Sequence, residues 1–258
     1  MKYGVTRDYV RRLEVLSPAR GREVYDDVAG EVDMLSLLVG SEGTLAATLA
    51  VTVRVLPLPA ATAAILAAFE DAVEAAQAAG AVIQSTGTPA KLEFLDGQTV
   101  ACVSRKEPGL LPAGAGAVLI TEYDGQDKVV SRQVREAAVL FREQGASAVE
   151  VGDDAATTGR LTRARRGVSP SLSIIAPHKK NEDVCVPRSR VPELVAYVRE
   201  LEREIQTCIP TFGHIGDGNL HVNFMYDARD EIWAARVEKG VEDLMRRVVA
   251  LSLIHISE

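Results

Sequence analysis

Hydrophobic and polar positions change rhythm several times along the chain, and each change marks a predicted element. Tyr3–Leu16 is short and mixed, and Ser17–Glu23 reads as a turn. Asp33–Val39 opens an apolar run that halts at Gly40-Ser41-Glu42-Gly43-Thr44, after which Leu49, Val51, Val53 and Val55 alternate with Thr52 and Arg54. Such period-2 alternation predicts a half-buried strand, ended by Pro57 and Pro59, whose fixed φ suits a domain boundary. Alanine-rich Ala60–Ala79 predicts a helix with Ile65, Phe69, Val73 and Ala76 on one face and Gly80 as its stop. Lys91–Gly97 and Ala117–Gly125 predict strands running into turns, Lys128–Gly145 a charged amphipathic helix, and Ser147–Asp154 a further strand. The pattern is helical again from Thr157 to Arg166 and loosens through Ser169–Pro187. It then predicts a helix over Val191–Gln206, strand–loop–strand over Ile209–Phe224 and a closing helix over Asp230–Leu251. Together these predict an α+β fold of ferredoxin-like type, an antiparallel sheet with helices on one face.

Composition narrows the class. The 258 residues are 47% hydrophobic and 25% charged, enough to bury a real core and too apolar for a disordered chain. With 29 basic and 36 acidic side chains the net charge is −7, which opposes nucleic-acid binding. Cys102, Cys185 and Cys208 form no CxxC pair, which argues against a disulfide framework or a Cys-ligated cluster and suits a reducing, cytoplasmic setting. The most apolar stretch, Gly43–Phe69, is interrupted by Arg54, Pro57 and Pro59, so no transmembrane helix is expected, and the first fifteen residues do not read as a signal peptide.

The strongest chemical signal is Thr211–Phe224. His214 and His221 stand seven apart around Gly216, Asp217, Gly218 and Asn219, and the chain has only four histidines. A glycine-rich turn can bring the two imidazoles to one point, and imidazole nitrogen suits zinc, iron or manganese. Arg165 and Ser169, spaced i and i+4, share a face if their segment is helical.

These residues carry a family resemblance. Gly213-His214-Ile215-Gly216-Asp217-Gly218-Asn219-Leu220-His221, the segment Val39–Pro57 around Gly-Ser-Glu-Gly-Thr, and Asn181–Leu194 occur in that family's order, with Glu93 and Glu122 in similar settings. Over nearly residues 1–251 the chain resembles the FAD-linked oxidases, which include glycolate oxidase, D-lactate dehydrogenase and D-2-hydroxyglutarate dehydrogenase. The resemblance implies three parts: 1–57, the end of a flavin-binding α+β domain; 58–251, the C-terminal substrate domain; and 252–258, a foreign or read-through tail. It implies FAD contacts from Gly40, Ser41, Glu42, Gly43, Thr44 and Asn219, with Ala46 narrowing the approach where the family has glycine. His214 and His221 would ligate a divalent metal (Zn, Mn or Fe), while Arg165, Ser169, Lys180 and Asn223 would hold a small 2-hydroxy acid for oxidation to the 2-oxo acid. Electrons would leave to a quinone, a cytochrome or an iron–sulfur partner; the expected location is cytoplasmic or peripheral to an inner membrane, with a homo-oligomer left open. The family's third metal ligand and general base have no counterpart here, since His255 and Glu258 sit at the wrong spacing. The chain is therefore expected to be a fragment, inactive alone. The competing reading is a non-catalytic, metal- or ligand-binding ferredoxin-like module.

Overall fold

In the computed structural model, which describes residues 2–27, 33–152 and 155–256, the chain forms two units, Tyr3–Leu58 and Pro59–Glu258 together with Met1–Lys2. The smaller unit is a three-stranded antiparallel sheet. Strands β1 (Val10–Ser17) and β2 (Gly21–Asp26) form a hairpin closed by Ser17 opposite Gly21, whose φ of +73° favours glycine. The helix α1 (Met34–Leu38) is capped by the Asp33 carboxylate, which accepts from the Ser36 N–H at 2.9 Å, and β3 (Ala47–Val53) pairs with β1 in the order β2-β1-β3. Strand β1 was not evident in the mixed segment Tyr3–Leu16. Consecutive Arg11 and Arg12 and a register shift between Val10 and Arg12 interrupt an alternation that buries Val10, Leu13 and Val15. Strand β3 forms where the alternation predicts one, but it is not half-buried: Leu49, Val51 and Val53 are 52%, 50% and 49% exposed.

The larger unit corrects the alanine-rich helix. Ala61–Phe69 is strand β4, and helix α2 runs over Ala72–Thr86, through Gly80 to a stop at Gly87, where φ is +82°. From Ala63 onward every residue of β4 is buried, on both faces, and a continuous apolar run in a central strand cannot be told from a buried helix by periodicity. Asp71 separates the two elements by accepting from the Val73 and Glu74 N–H groups at 2.7 and 3.3 Å, the work of an N-cap.

The chain then alternates: β5 (Lys91–Asp96), α3 (Gly97–Lys106), β6 (Ala117–Gly125), α4 (Asp127–Glu143), β7 (Ala148–Gly152), α5 (Ala155–Arg166) and the short α6 (Val168–Ser171). Next come β8 (His178–Cys185), α7 (Val191–Ile205), β9 (Thr211–His214), β10 (Asn219–Tyr226) and α8 (Glu231–Ile256). Of the expected strand Ser147–Asp154, Asp153 and Asp154 lie outside the described residues, as do Ser257 and Glu258. The seven strands form one sheet in the order β7-β4-β6-β5-β9-β10-β8, with every neighbouring pair antiparallel. The fold is α+β.

Helices lie on both faces of this sheet rather than one. Ile65, Phe69, Phe94, Leu119, Val222 and Phe224 pack beneath α2, α4, α7 and α8. The opposite face, with Leu66, Val118, Ile120, Leu95 and Phe212, meets α3, α5 and α6. Asp96 ties two elements together: its carboxylate accepts from the Thr99 N–H at 2.8 Å, capping α3, and from the Thr211 N–H at 2.7 Å, the first residue of β9. Among the described residues no helix is long and apolar enough to cross a membrane.

Candidate active site

The two histidines meet because two glycines allow a tight hairpin. Strand β9 ends at His214, one helical turn spans Ile215–Asp217, and Gly218 starts the return at φ +76°. A Cβ on Gly218 would lie 2.1 Å from the Val186 carbonyl oxygen, and one on Gly213 would lie 2.8 Å from the Asn219 carbonyl oxygen. Only glycine permits this approach. With Asn219 opposite His214 and His221 opposite Phe212, the two imidazoles share a sheet face, their centroids 5.6 Å apart edge to face.

Each imidazole carries a carboxylate. Glu93, on β5 and only 8% exposed, accepts from His214 Nδ1 at 2.8 Å. Asp183, directly opposite His221 on β8, contacts its Nδ1 and also accepts from the Asn181 amide at 3.1 Å. Arg165, at the end of α5, brings a guanidinium to the same place: its Nε donates to Glu93 at 3.2 Å and its Nη2 lies 3.4 Å from His214 Nε2. Phe212 forms the floor, its ring centroid 5.8 Å from the Arg165 guanidinium carbon and 5.1 Å from that of His221. The hydrogen bond to Glu93 raises the His214 pKa, burial and Arg165 opposing it, while the bond from His221 lowers that of Asp183. The buried Glu93 carboxylate offsets the Arg165 guanidinium, whose remaining Nη donors can still bond a small anion.

The other predicted residues divide. Ser169 is exposed, and its hydroxyl accepts from Lys179 Nζ at 2.9 Å. Lys180 is not at the site: it points to the opposite face and pairs with Glu238 of α8 at 2.6 Å. One residue of register decides this, since residues 179, 181 and 183 share the His221 face, so Lys179 takes the place expected of Lys180. Asn223 is fully buried, its amide donating to the carbonyls of Pro210 and His221 at 3.1 and 2.9 Å, and its Oδ1 has no partner. The Oδ1 of Asn219 is likewise buried and unpaired. Glu93 and Asp183 were not predicted as site residues. The signal for Asp183 was its spacing of two from Asn181, legible only once β8 is recognised as a strand.

The metal expectation is not supported. Among the described residues no group of three or more His, Cys, Asp or Glu side chains is placed to hold a metal ion. Two imidazoles backed by carboxylates supply part of a donor set, but the Arg165 guanidinium lies against His214 Nε2, where a cation would have to sit. The residues present do not fit a metal ion, and no step is derived through one. In the smaller unit, Gly40, Glu42 and Gly43 have φ of +88°, +52° and +79°, and a Cβ on either glycine would meet nothing within 4 Å. The Cα faces of Gly40 and Gly43 are thus uncovered, which is what a group lying against the backbone requires. Ala46 does not narrow that approach, because its methyl is buried in the small core with Val10, Leu13, Val15 and Leu35.

The sheet, covered by helices on both faces, thus carries an imidazole, carboxylate and guanidinium cluster on one face. Residues 58–252 match the family model for FAD linked oxidases, C-terminal domain, and the chain belongs to that family. It is 34% identical over 256 residues to the glycolate oxidase subunit GlcD of Bacillus subtilis, covering 97% of this chain and 54% of that one. It is 28% identical to a probable mitochondrial D-lactate dehydrogenase of Danio rerio, covering 97% and 52%. The solved structure of an alkyldihydroxyacetonephosphate synthase shares the fold, with a TM-score of 0.68 at 15% identity, covering 96% of this chain and 50% of that one. The chain spans about half the length of the curated relatives it matches.

Proposed function

We propose that this chain supplies the substrate site of an FAD-dependent dehydrogenase that oxidises a small 2-hydroxy acid, of glycolate or D-lactate type, to the 2-oxo acid. The observation that carries this reading is Arg165 held by buried Glu93 beside two imidazoles. A guanidinium anchored through Nε still offers its Nη donors to a carboxylate, and Lys179 with Ser169 adds a second cationic edge. The His221 imidazole supplies an acceptor for the α-hydroxyl of an acid so held. FAD, when bound, supplies the hydride acceptor, and Gly40–Thr44 are the residues for it in the smaller unit. Relatives named for glycolate and D-lactate support the substrate class. A quinone, cytochrome or iron–sulfur protein as final electron acceptor is part of the same proposal.

The test is calorimetric titration of the purified chain with glycolate and with D-lactate. Binding to the native chain and at least ~10-fold weaker binding to Arg165→Ala is expected, about 1.4 kcal/mol for a lost charge-assisted contact. Equal affinity in both would sink the assignment.

A further inference from the structure

Two carboxylates, Glu93 and Asp183, each bond the Nδ1 of one imidazole. We propose that Asp183, together with Glu93, acts as a positioning residue that holds both imidazoles as the same tautomer, hydrogen on Nδ1, so that the Nε2 lone pair of His214 accepts from Arg165 and that of His221 is offered to the bound ligand.

The argument begins with hydrogen-bond capacity. An ionised carboxylate has no hydrogen to give, so a ring nitrogen bonded to it must be the donor. His221 Nδ1 bonds Asp183 and His214 Nδ1 bonds Glu93, which leaves the lone pair of each neutral ring on Nε2. At His214 a second contact demands the same answer. Arginine can only donate, and Arg165 Nη2 faces His214 Nε2 at 3.4 Å, so that nitrogen must be the acceptor. Two independent partners on opposite ring nitrogens select one tautomer.

At His221 the selection rests on Asp183 alone, and the backbone fixes it. Asp183 and His221 are register partners on adjacent antiparallel strands, which sets their Cβ atoms about 5 Å apart. Asn181 donates to the same Asp183 oxygen at 3.1 Å, holding the carboxylate in place although its side chain is 60% exposed. An exposed acid on an edge strand ordinarily contributes little to stability, so orientation of the ring is what this one supplies. The inference rests on the reading of this site as a hydroxy-acid site, because a lone-pair donor is what a substrate hydroxyl needs. The tautomer itself can be measured without any substrate.

The experiment is long-range proton–nitrogen correlation NMR of the four histidines in the full 258-residue chain at pH about 8.5, with the signals assigned from single His→Gln variants. His221 and His214 should both show hydrogen on Nδ1. In Asp183→Asn the amide can turn its NH2 toward the ring, the effect an Asp→Asn change has on a hydrolase triad, and His221 should shift toward hydrogen on Nε2 while His214 stays unchanged. Asp183→Glu should restore the native His221 pattern, and Glu93→Gln should move His214 instead. Glycolate affinity should fall about 10-fold in Asp183→Asn and recover in Asp183→Glu. If native His221 carries its hydrogen on Nε2, or if Asp183→Asn leaves its tautomer unaltered, the proposal is overturned. If the tautomers behave as expected but glycolate binds neither protein, the positioning stands and the substrate reading fails.

Discussion

Replacing Asp96 by asparagine should flatten the pH dependence of stability, and the expected size follows from its surroundings. Burial pushes the Asp96 carboxyl up from 3.8 to about 6, against the opposing hydrogen bonds from Thr99 and Thr211, with Glu202 adding to the rise. A folded-state value above the unfolded one means that this group's contribution is fully present below pH 3.8 and is lost as pH rises through about 6. The gap between 3.8 and about 6, at about 1.4 kcal/mol for each tenfold change, amounts to about 3 kcal/mol. In Asp96→Asn no charge forms, but the amide can accept from only one of the two backbone N–H groups and sets its own NH2 against the other, costing about 1–3 kcal/mol at every pH. Native minus variant stability should therefore start positive near pH 4 and fall by a further ~2 kcal/mol by pH 7. Urea unfolding followed through the single tryptophan, Trp233, measures this within the larger unit, where its indole donates to the Thr207 hydroxyl at 2.8 Å. A stability difference that stays constant from pH 4 to 7 would refute the account of Asp96.

Two further perturbations address the hairpin and the open strand. Gly218→Ala places a methyl 2.1 Å from the Val186 carbonyl oxygen at φ +76°, so a loss of more than ~2 kcal/mol and weaker glycolate binding are expected, read by thermal unfolding and calorimetry. Val51→Thr, on β3 where that side chain is half exposed, should change stability by less than ~0.5 kcal/mol in the same unfolding assay; a loss above ~1 kcal/mol would mean that this side chain is packed.

How much of the site was legible in the sequence depended on how far its partners lie along the chain. His214 and His221 belong to one hairpin and announce themselves through the glycines between them. Glu93 and Asp183 reach the same place from 121 and 38 residues away, through strand pairings that no local pattern encodes. Lys180 was misjudged for a related reason: a slip of one residue in a strand exchanges sheet faces, and β8 was hidden by the charged run His178–Asp183. The helix expected over Ala60–Ala79 failed in its first half because alanine's intrinsic preference is weak beside burial on both faces of a central strand. Elements with a single apolar face, such as α4 and α7, were found within a few residues of their observed ends.

The tight turn at Gly218 also bears on the order of folding events. A short hairpin such as β9–β10 closes in about 1–10 μs, because little chain entropy is lost in joining its ends. The β5–β9 pairing that delivers Glu93 to His214 must close a loop of more than a hundred residues, and long-range pairings of that kind form slowly. On these loop lengths the imidazole pair is expected to assemble before the Glu93 contact forms. During that interval His214 has neither Glu93 nor an ordered Arg165, so in a refolding time course its ring environment should reach the native state with the sheet and not with the hairpin.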